Sequence, residues 1–141
     1  MRWLTVIVLL MGFVVPLQAD TYVYVAVGPE KKIQIFRLDP NEGKLSPVDT
    51  LAVEGIPGSL GVDPQKKYLF ASLRPTMAIA SFAIDPASGK LKLLSTAPLG
   101  EGQVAAAFVG TDRTGRWLLS ASYMGAKVLV HEVNGDGTIK S

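Results

Sequence analysis

Leu38-Asp39-Pro40-Asn41-Glu42-Gly43-Lys44-Leu45 recurs in the same chain as Ile84-Asp85-Pro86-Ala87-Ser88-Gly89-Lys90-Leu91. The step from Leu38 to Ile84 is 46 residues, and a looser third copy, Val133-Asn134-Gly135-Asp136-Gly137-Thr138-Ile139, follows after 49 more. Each copy reads as the end of a strand, a tight turn and the start of another strand. Gly43, Gly89 and Gly137 stand where the return of a hairpin favours positive φ, which only glycine adopts without steric cost. Self-similarity at a period of about 40–50 residues is the mark of four-stranded β-units stacked side by side.

Working outward from these turns, the chain after Asp20 reads as strands and turns alone. In the first unit, Tyr22–Val27 is apolar on both faces, as a strand covered on both sides must be. Lys32–Leu38 alternates, and Leu45–Ala52 is the outer strand. The second unit runs through Ser59–Val62, Tyr68–Leu73, Met77–Ile84 and Leu91–Ala97. The third repeats it with Ala107–Thr111, Trp117–Ser122 and Lys127–Val133, and a last strand begins at Ile139. Asp63 and Asp112 head the intervening turns, where an aspartate accepts backbone N–H groups two residues on. The segments 53–58 and 98–103 read as loops between units. The fold class is therefore all-β, a β-propeller with blades of four antiparallel strands, two and a half to three of them over residues 20–141. Three such units cannot close a ring, so their end sheets leave apolar faces bare. The chain by itself is expected to aggregate and to be inactive.

The totals narrow the function. The 141 residues carry a formal charge of +2 without a basic cluster, which speaks against a nucleic-acid surface. There is no cysteine, hence no disulfide, thiolate metal site or cysteine nucleophile, and one histidine, His131, cannot by itself build a metal site. No metal and no cofactor is expected. At the N-terminus, Arg2, the apolar run Leu4–Val15 and Pro16-Leu17-Gln18-Ala19 have the layout of a secretory signal peptide cut after Ala19. The run is short for a bilayer span of about 20 residues. Residues 1–19 are thus expected to direct export, periplasmic or extracellular, with no membrane contact after cleavage.

In order and spacing, several stretches resemble the lactonase family of seven-bladed β-propellers, which includes bacterial 6-phosphogluconolactonases and fungal carboxymuconate cycloisomerases. They are Tyr22-Val23-Tyr24-Val25 with Ile33-Gln34-Ile35-Phe36-Arg37-Leu38, Val62-Asp63-Pro64-Gln65-Lys66-Lys67-Tyr68-Leu69-Phe70, Leu73-Arg74-Pro75, Thr111-Asp112-Arg113-Thr114-Gly115-Arg116-Trp117, and Ser120-Ala121-Ser122-Tyr123-Met124-Gly125. The resemblance covers residues 20–141 and implies the first third of a seven-bladed ring, with the remaining blades as its neighbours. It implies hydrolysis of a sugar lactone and a small lactone or sugar acid as ligand. Two departures weigh against a phosphorylated sugar. Ala106-Ala107-Phe108 replaces a Pro-Thr-His of the bacterial enzymes, and Ser122 stands for an asparagine. The family's main acid–base and anion-binding groups lie in later blades.

Within the chain, the groups at the expected channel mouth are Arg74 and Tyr123. Arg74, on the loop after a second strand, offers a forked guanidinium to a carboxylate or phosphate; its other reading is an exposed surface arginine. Tyr123, one unit later, has a hydroxyl able to donate to an oxyanion, against the reading of a ring packed under a loop. Ser59 and Gln103 are positionally possible contacts. His131 lies mid-strand with no group to orient it, which makes it a sheet-packing or surface residue rather than a general base. No catalytic residue is assigned. Beside the lactonase, two other functions stand open: a non-catalytic exported propeller that binds a ligand or a partner protein, and a cycloisomerase.

Overall fold

The hairpin turns form because their aspartates replace the backbone's missing partners. Asp39 Oδ1 accepts the N–H groups of Asn41 at 2.8 Å and Glu42 at 3.2 Å, and Asp85 Oδ1 those of Ala87 at 2.8 Å and Ser88 at 3.1 Å. The glycines close both turns with positive φ, Gly43 at 64° and Gly89 at 69°. The computed structural model describes residues 20–100 and 105–140, and within them every regular element is a strand. The expected signal peptide, residues 1–19, and Gln103 lie outside the described residues. Among the described residues no helix is long and apolar enough to cross a membrane.

Ten strands form three antiparallel sheets. The first holds β1 (Thr21–Val27), β2 (Lys32–Asp39) and β3 (Lys44–Ala52). The second is complete, with β4 (Ile56–Val62), β5 (Tyr68–Arg74), β6 (Ala78–Ile84) and β7 (Leu91–Pro98) in sequential order. The third holds β8 (Phe108–Thr111), β9 (Trp117–Ser122) and β10 (Lys127–Glu132), and the bridge Val133–Ile139 begins its outer strand. The 46-residue step matches β1 with β5, so among the described residues the first sheet has no counterpart of the innermost strands β4 and β8.

The sheets stack in sequence, and two cores fill the gaps between them. Ile33 and Ile35 of the first sheet meet Leu69, Ala71, Leu73, Ala80, Phe82 and Leu91 of the second. The opposite face of the second sheet, with Phe70, Ile79 and Ala97, meets Val109, Leu118, Val133 and Ile139 of the third. Alternation along the strands explains this division: residues one step apart on β5, Leu69 and Phe70, serve opposite cores. Both faces of the second sheet are therefore buried, as its near-continuous apolar strands require.

β4 begins three residues earlier than the sequence suggests. Pro57 pairs with Leu73 inside the sheet, followed by an irregularity before Leu60. Proline and glycine at Pro57-Gly58 read locally as a loop, but a bulge accommodates them.

Candidate functional site

All chain reversals between the first and second fully matched strands of each unit lie at one end of the stack. They are Gly28–Lys31, Pro75–Met77 and Tyr123–Ala126, spaced by the same 46- and 49-residue steps. The last residue of each is a non-glycine in the left-handed region: Lys31 at φ 51°, Met77 at 47° and Ala126 at 48°. In the first and third, the closing N–H donates to the carbonyl three residues back, Lys31 to Gly28 at 3.0 Å and Ala126 to Tyr123 at 3.3 Å. This shared geometry puts Arg74 and Tyr123 at equivalent positions of neighbouring sheets.

Arg74 is the last residue of β5, opposite Ile56 of β4, rather than a loop residue, and it is exposed. Its guanidinium lies along the backbone of Gly58 on the innermost strand. A Cβ added to Gly58 would come within 3.1 Å of Arg74 Nη2 and 2.9 Å of Ser72 Oγ. Gly55, with φ 118°, gives similar room, since a Cβ there would sit 3.0 Å from the Arg74 carbonyl. Glycine at both positions lets the loop after β3 approach the Arg74 end of the sheet. Among the described residues Arg74 takes part in no ion pair, so its charge faces solvent at the stack's end.

Tyr123 is 78% exposed, with its ring in solvent rather than under a loop. Its turn is braced by Ser122, whose Oγ accepts the Gly125 N–H at 3.2 Å. Ser122 thus serves the turn. Arg74 and Tyr123 share an end of the molecule, and no hydrogen bond joins them.

Ser59 has a different use. Its Oγ accepts the Val109 N–H at 3.0 Å across the gap between sheets, while its own N–H donates to Ser72 Oγ at 3.0 Å. Ser72 replaces the ladder partner lost at the bulge, and Ser59 ties β4 to β8. The backbones meet here so closely that a Cβ on Gly61 would lie 2.6 Å from the Val109 carbonyl. Sequence reasoning missed Gly58 and Ser72, whose importance arises only once β4 and β5 are paired.

Of the two readings of His131, sheet packing or surface, its half-buried ring fits packing. On β10 it pairs with Leu118 and faces the second sheet, at the position that Phe82 fills one unit earlier. Its Nε2 is buried without a hydrogen-bond partner, and burial pulls its pKa below the ordinary 6.5. A neutral imidazole in this place supplies no general base at the Arg74 end. Asp63 and Asp112 are likewise structural. Asp63 is buried and accepts the N–H groups of Gln65, Lys67 and Tyr68 at 3.0, 2.6 and 2.6 Å. Asp112 accepts Thr114 Oγ1 at 2.7 Å and the Trp117 N–H at 3.1 Å, which holds its carboxyl below the usual range.

The described residues hold no cluster of three His, Cys, Asp or Glu side chains placed to share a metal ion. Chemically, the Arg74 end presents an exposed guanidinium, a planar forked donor.

A family model described as a lactonase, 7-bladed beta-propeller, matches residues 18–141. No curated protein matches the chain significantly. Among solved structures, a candidate 6-phosphogluconolactonase from Bacteroides fragilis is similar with a TM-score of 0.75 and 22% identity, over 84% of this chain and 34% of its own. One from Bacteroides uniformis has a TM-score of 0.75 and 24% identity, over 84% and 35%. A periplasmic gluconolactonase from Pseudomonas aeruginosa has a TM-score of 0.75 and 19% identity, over 85% and 35%. The chain spans about a third of the length of these structures. At these identities the likeness establishes the fold.

Proposed function

Because the chain belongs to the lactonase family of seven-bladed β-propellers, we propose that the whole protein hydrolyses a sugar lactone, with Arg74 and Tyr123 as substrate-binding residues at the channel mouth. The observation that carries this reading is the guanidinium of Arg74, which lies over Gly58 on the innermost strand and, among the described residues, makes no ion pair. In the reaction, water adds to the lactone carbonyl and the ring C–O bond breaks. The proton lost by water passes to the departing ring oxygen, which gives an open hydroxy acid. Charge builds on the carbonyl oxygen in the transition state and resides on a carboxylate in the product. A planar double donor suits both, and the Tyr123 hydroxyl adds a single donor. The base that activates water belongs to the rest of the ring.

We favour a non-phosphorylated lactone met outside the cytoplasm. Ala106 and Ala107 offer no imidazole for a phosphate, and the apolar run Leu4–Val15 with Ala19 supports export. The periplasmic gluconolactonase among the structural relatives fits the same location. The test is turnover of glucono-δ-lactone by the full-length protein, followed by proton release. Saturable kinetics above the spontaneous rate, weakened in Arg74→Ala, uphold the proposal. Hydrolysis at the spontaneous rate overturns it and leaves the second reading, an exported propeller that binds without turnover. His131, half-buried on β10 and away from the mouth, favours that second reading for this third of the ring.

A further inference from the structure

Gly58 is a glycine that its own backbone does not demand. Its φ lies outside the left-handed region, where other residues are accommodated as well. What a side chain would meet there is two groups on β5. A Cβ at Gly58 falls 2.9 Å from Ser72 Oγ, 3.1 Å from Arg74 Nη2 and 3.5 Å from Arg74 Nε. The missing methyl group is thus space that the Arg74 guanidinium and the Ser72 hydroxyl share above the innermost strand.

The backbone around Gly58 serves the same approach. Gly58 and Ser59 stand between the pairs Pro57–Leu73 and Leu60–Ala71, so two residues of β4 face Ser72 alone. Such a bulge bends its strand and re-aims the side chains beside it. Ser72 fixes the bulge: wholly buried, it accepts the Ser59 N–H at 3.0 Å through its hydroxyl. Gly58, Ser72 and Arg74 all belong to the second sheet, which has a neighbour packed on either face.

The third sheet shows what the inner strand looks like otherwise. One 49-residue step on, the corresponding residues are Ala107, Ala121 and Tyr123. There β8 pairs in unbroken register, with Phe108 opposite Ala121, and the Ala107 N–H donates to the Ala121 carbonyl at 2.8 Å. An innermost strand therefore needs neither the glycine nor the bulge. Both occur where the neighbouring strand ends in arginine.

We propose that Gly58 is a positioning residue for Arg74, the bulge opening a seat on the innermost strand that fixes where the guanidinium stands at the mouth. The inference rests on the reading of Arg74 as a substrate-binding residue. A long arginine side chain holds a ligand best when little of its freedom is lost on binding, and packing Nη2 and Nε over Gly58 removes part of that freedom in advance. A Cβ at 3.1 Å pushes the guanidinium aside by a few tenths of an ångström. The fold tolerates this, because what moves is the tip of an exposed side chain. A ligand that must meet two parallel hydrogen bonds does not.

The test uses the full-length protein with Gly58→Ala, Arg74→Ala and the double variant, acting on glucono-δ-lactone. Gly58→Ala is expected to lower kcat/KM about 10-fold, mainly through KM, and to change nothing further in the Arg74→Ala background. An equal loss in both backgrounds overturns the proposal, since Gly58 would then act without Arg74. Thermal melts show whether the alanine is accommodated. If Gly58→Ala does not fold, pairing it with Ser72→Ala makes room on the hydroxyl side, and that pair is compared with Ser72→Ala alone. A second readout involves no turnover: labelling of Arg74 by phenylglyoxal, followed by peptide mass spectrometry. Gly58→Ala should unseat the guanidinium and speed its labelling. Wild-type protein that leaves the lactone at its spontaneous rate sinks the lactone reading alone, and labelling then decides the seat. Labelling that is unchanged in Gly58→Ala overturns it.

Discussion

Tyr68 and Gly137 occupy one shared volume. The ring lies where a side chain at Gly137 would project, and its hydroxyl reaches the Gly135 carbonyl. Two residues 69 positions apart thereby fix the distance between neighbouring sheets. Tyr22 and Gly89 repeat the relationship one unit earlier.

Substitution along the hairpin glycines should therefore be graded. Gly137→Ala meets both the Tyr68 ring and a φ of 85°, and is expected to cost about 2–4 kcal/mol. Gly43→Ala meets only its φ of 64°, for about 1 kcal/mol. Gly135→Ala, with open space and no positive φ, should stay within about 0.5 kcal/mol. Urea unfolding of the three variants measures the series. Equal costs at Gly43 and Gly137 would show that the ring contact contributes nothing.

Asp63 accepts three backbone N–H groups on a side chain that is only 4% exposed. Asp63→Ala leaves those donors without partners and should destabilise by about 3–5 kcal/mol. Asp63→Asn keeps one acceptor oxygen and should cost roughly half as much. Asp112→Ala should be milder, because the groups Asp112 holds reach water. Denaturant midpoints for the three decide it, and a mild Asp63→Ala would refute the assignment.

How much of this was legible in the sequence follows from the range of each interaction. The Asp-Pro hairpins are local: Asp39 bonds within three residues, so their recurrence gives the units, the strands and the fold class without a structure. The placement of Arg74 and Tyr123 at one end also follows, because the repeat carries both to the same turn. What remained hidden spans units. Tyr22 to Ala87 covers 65 residues and Ser59 to Val109 covers 50, and no local pattern announces either. Ser59 illustrates the consequence. A serine before an inner strand reads as a possible ligand contact until β4 and β8 are side by side, when its Oγ is taken by a backbone amide.

That amide provides a direct prediction. Ser59→Ala removes the acceptor for the Val109 N–H inside a closed junction and should cost about 1–3 kcal/mol. Its more telling effect is local. Hydrogen exchange at Val109 should accelerate relative to Leu118, which is also wholly buried in the same core but has no bond to Ser59. Uniform acceleration of both amides would mean the serine acts only through overall stability.

His131 gives the chain a pH dependence of known sign. Burial lowers its folded pKa below 6.5, so on acidification the unfolded chain takes up a proton before the folded one does. Stability that is full above pH 6.5 therefore falls as pH drops from there through the folded pKa, and levels off below it. The lowered carboxylates Asp49, Asp112, Glu132 and Asp136 act in the same direction at lower pH, where Glu132 loses its contacts with Lys140 and Arg116. The two contributions are separable by His131→Phe, which installs the residue found at the matching position, Phe82. Because Nε2 has no partner to lose, the substitution should stabilise the chain modestly near neutrality, by about 1 kcal/mol. Below the imidazole range the gain should widen, since the variant no longer binds the extra proton on unfolding. Urea midpoints at pH 7.5 and pH 5 test this. A gain that is equal at both values, or smaller in acid, would show that His131 protonates as readily in the folded sheet as in the open chain.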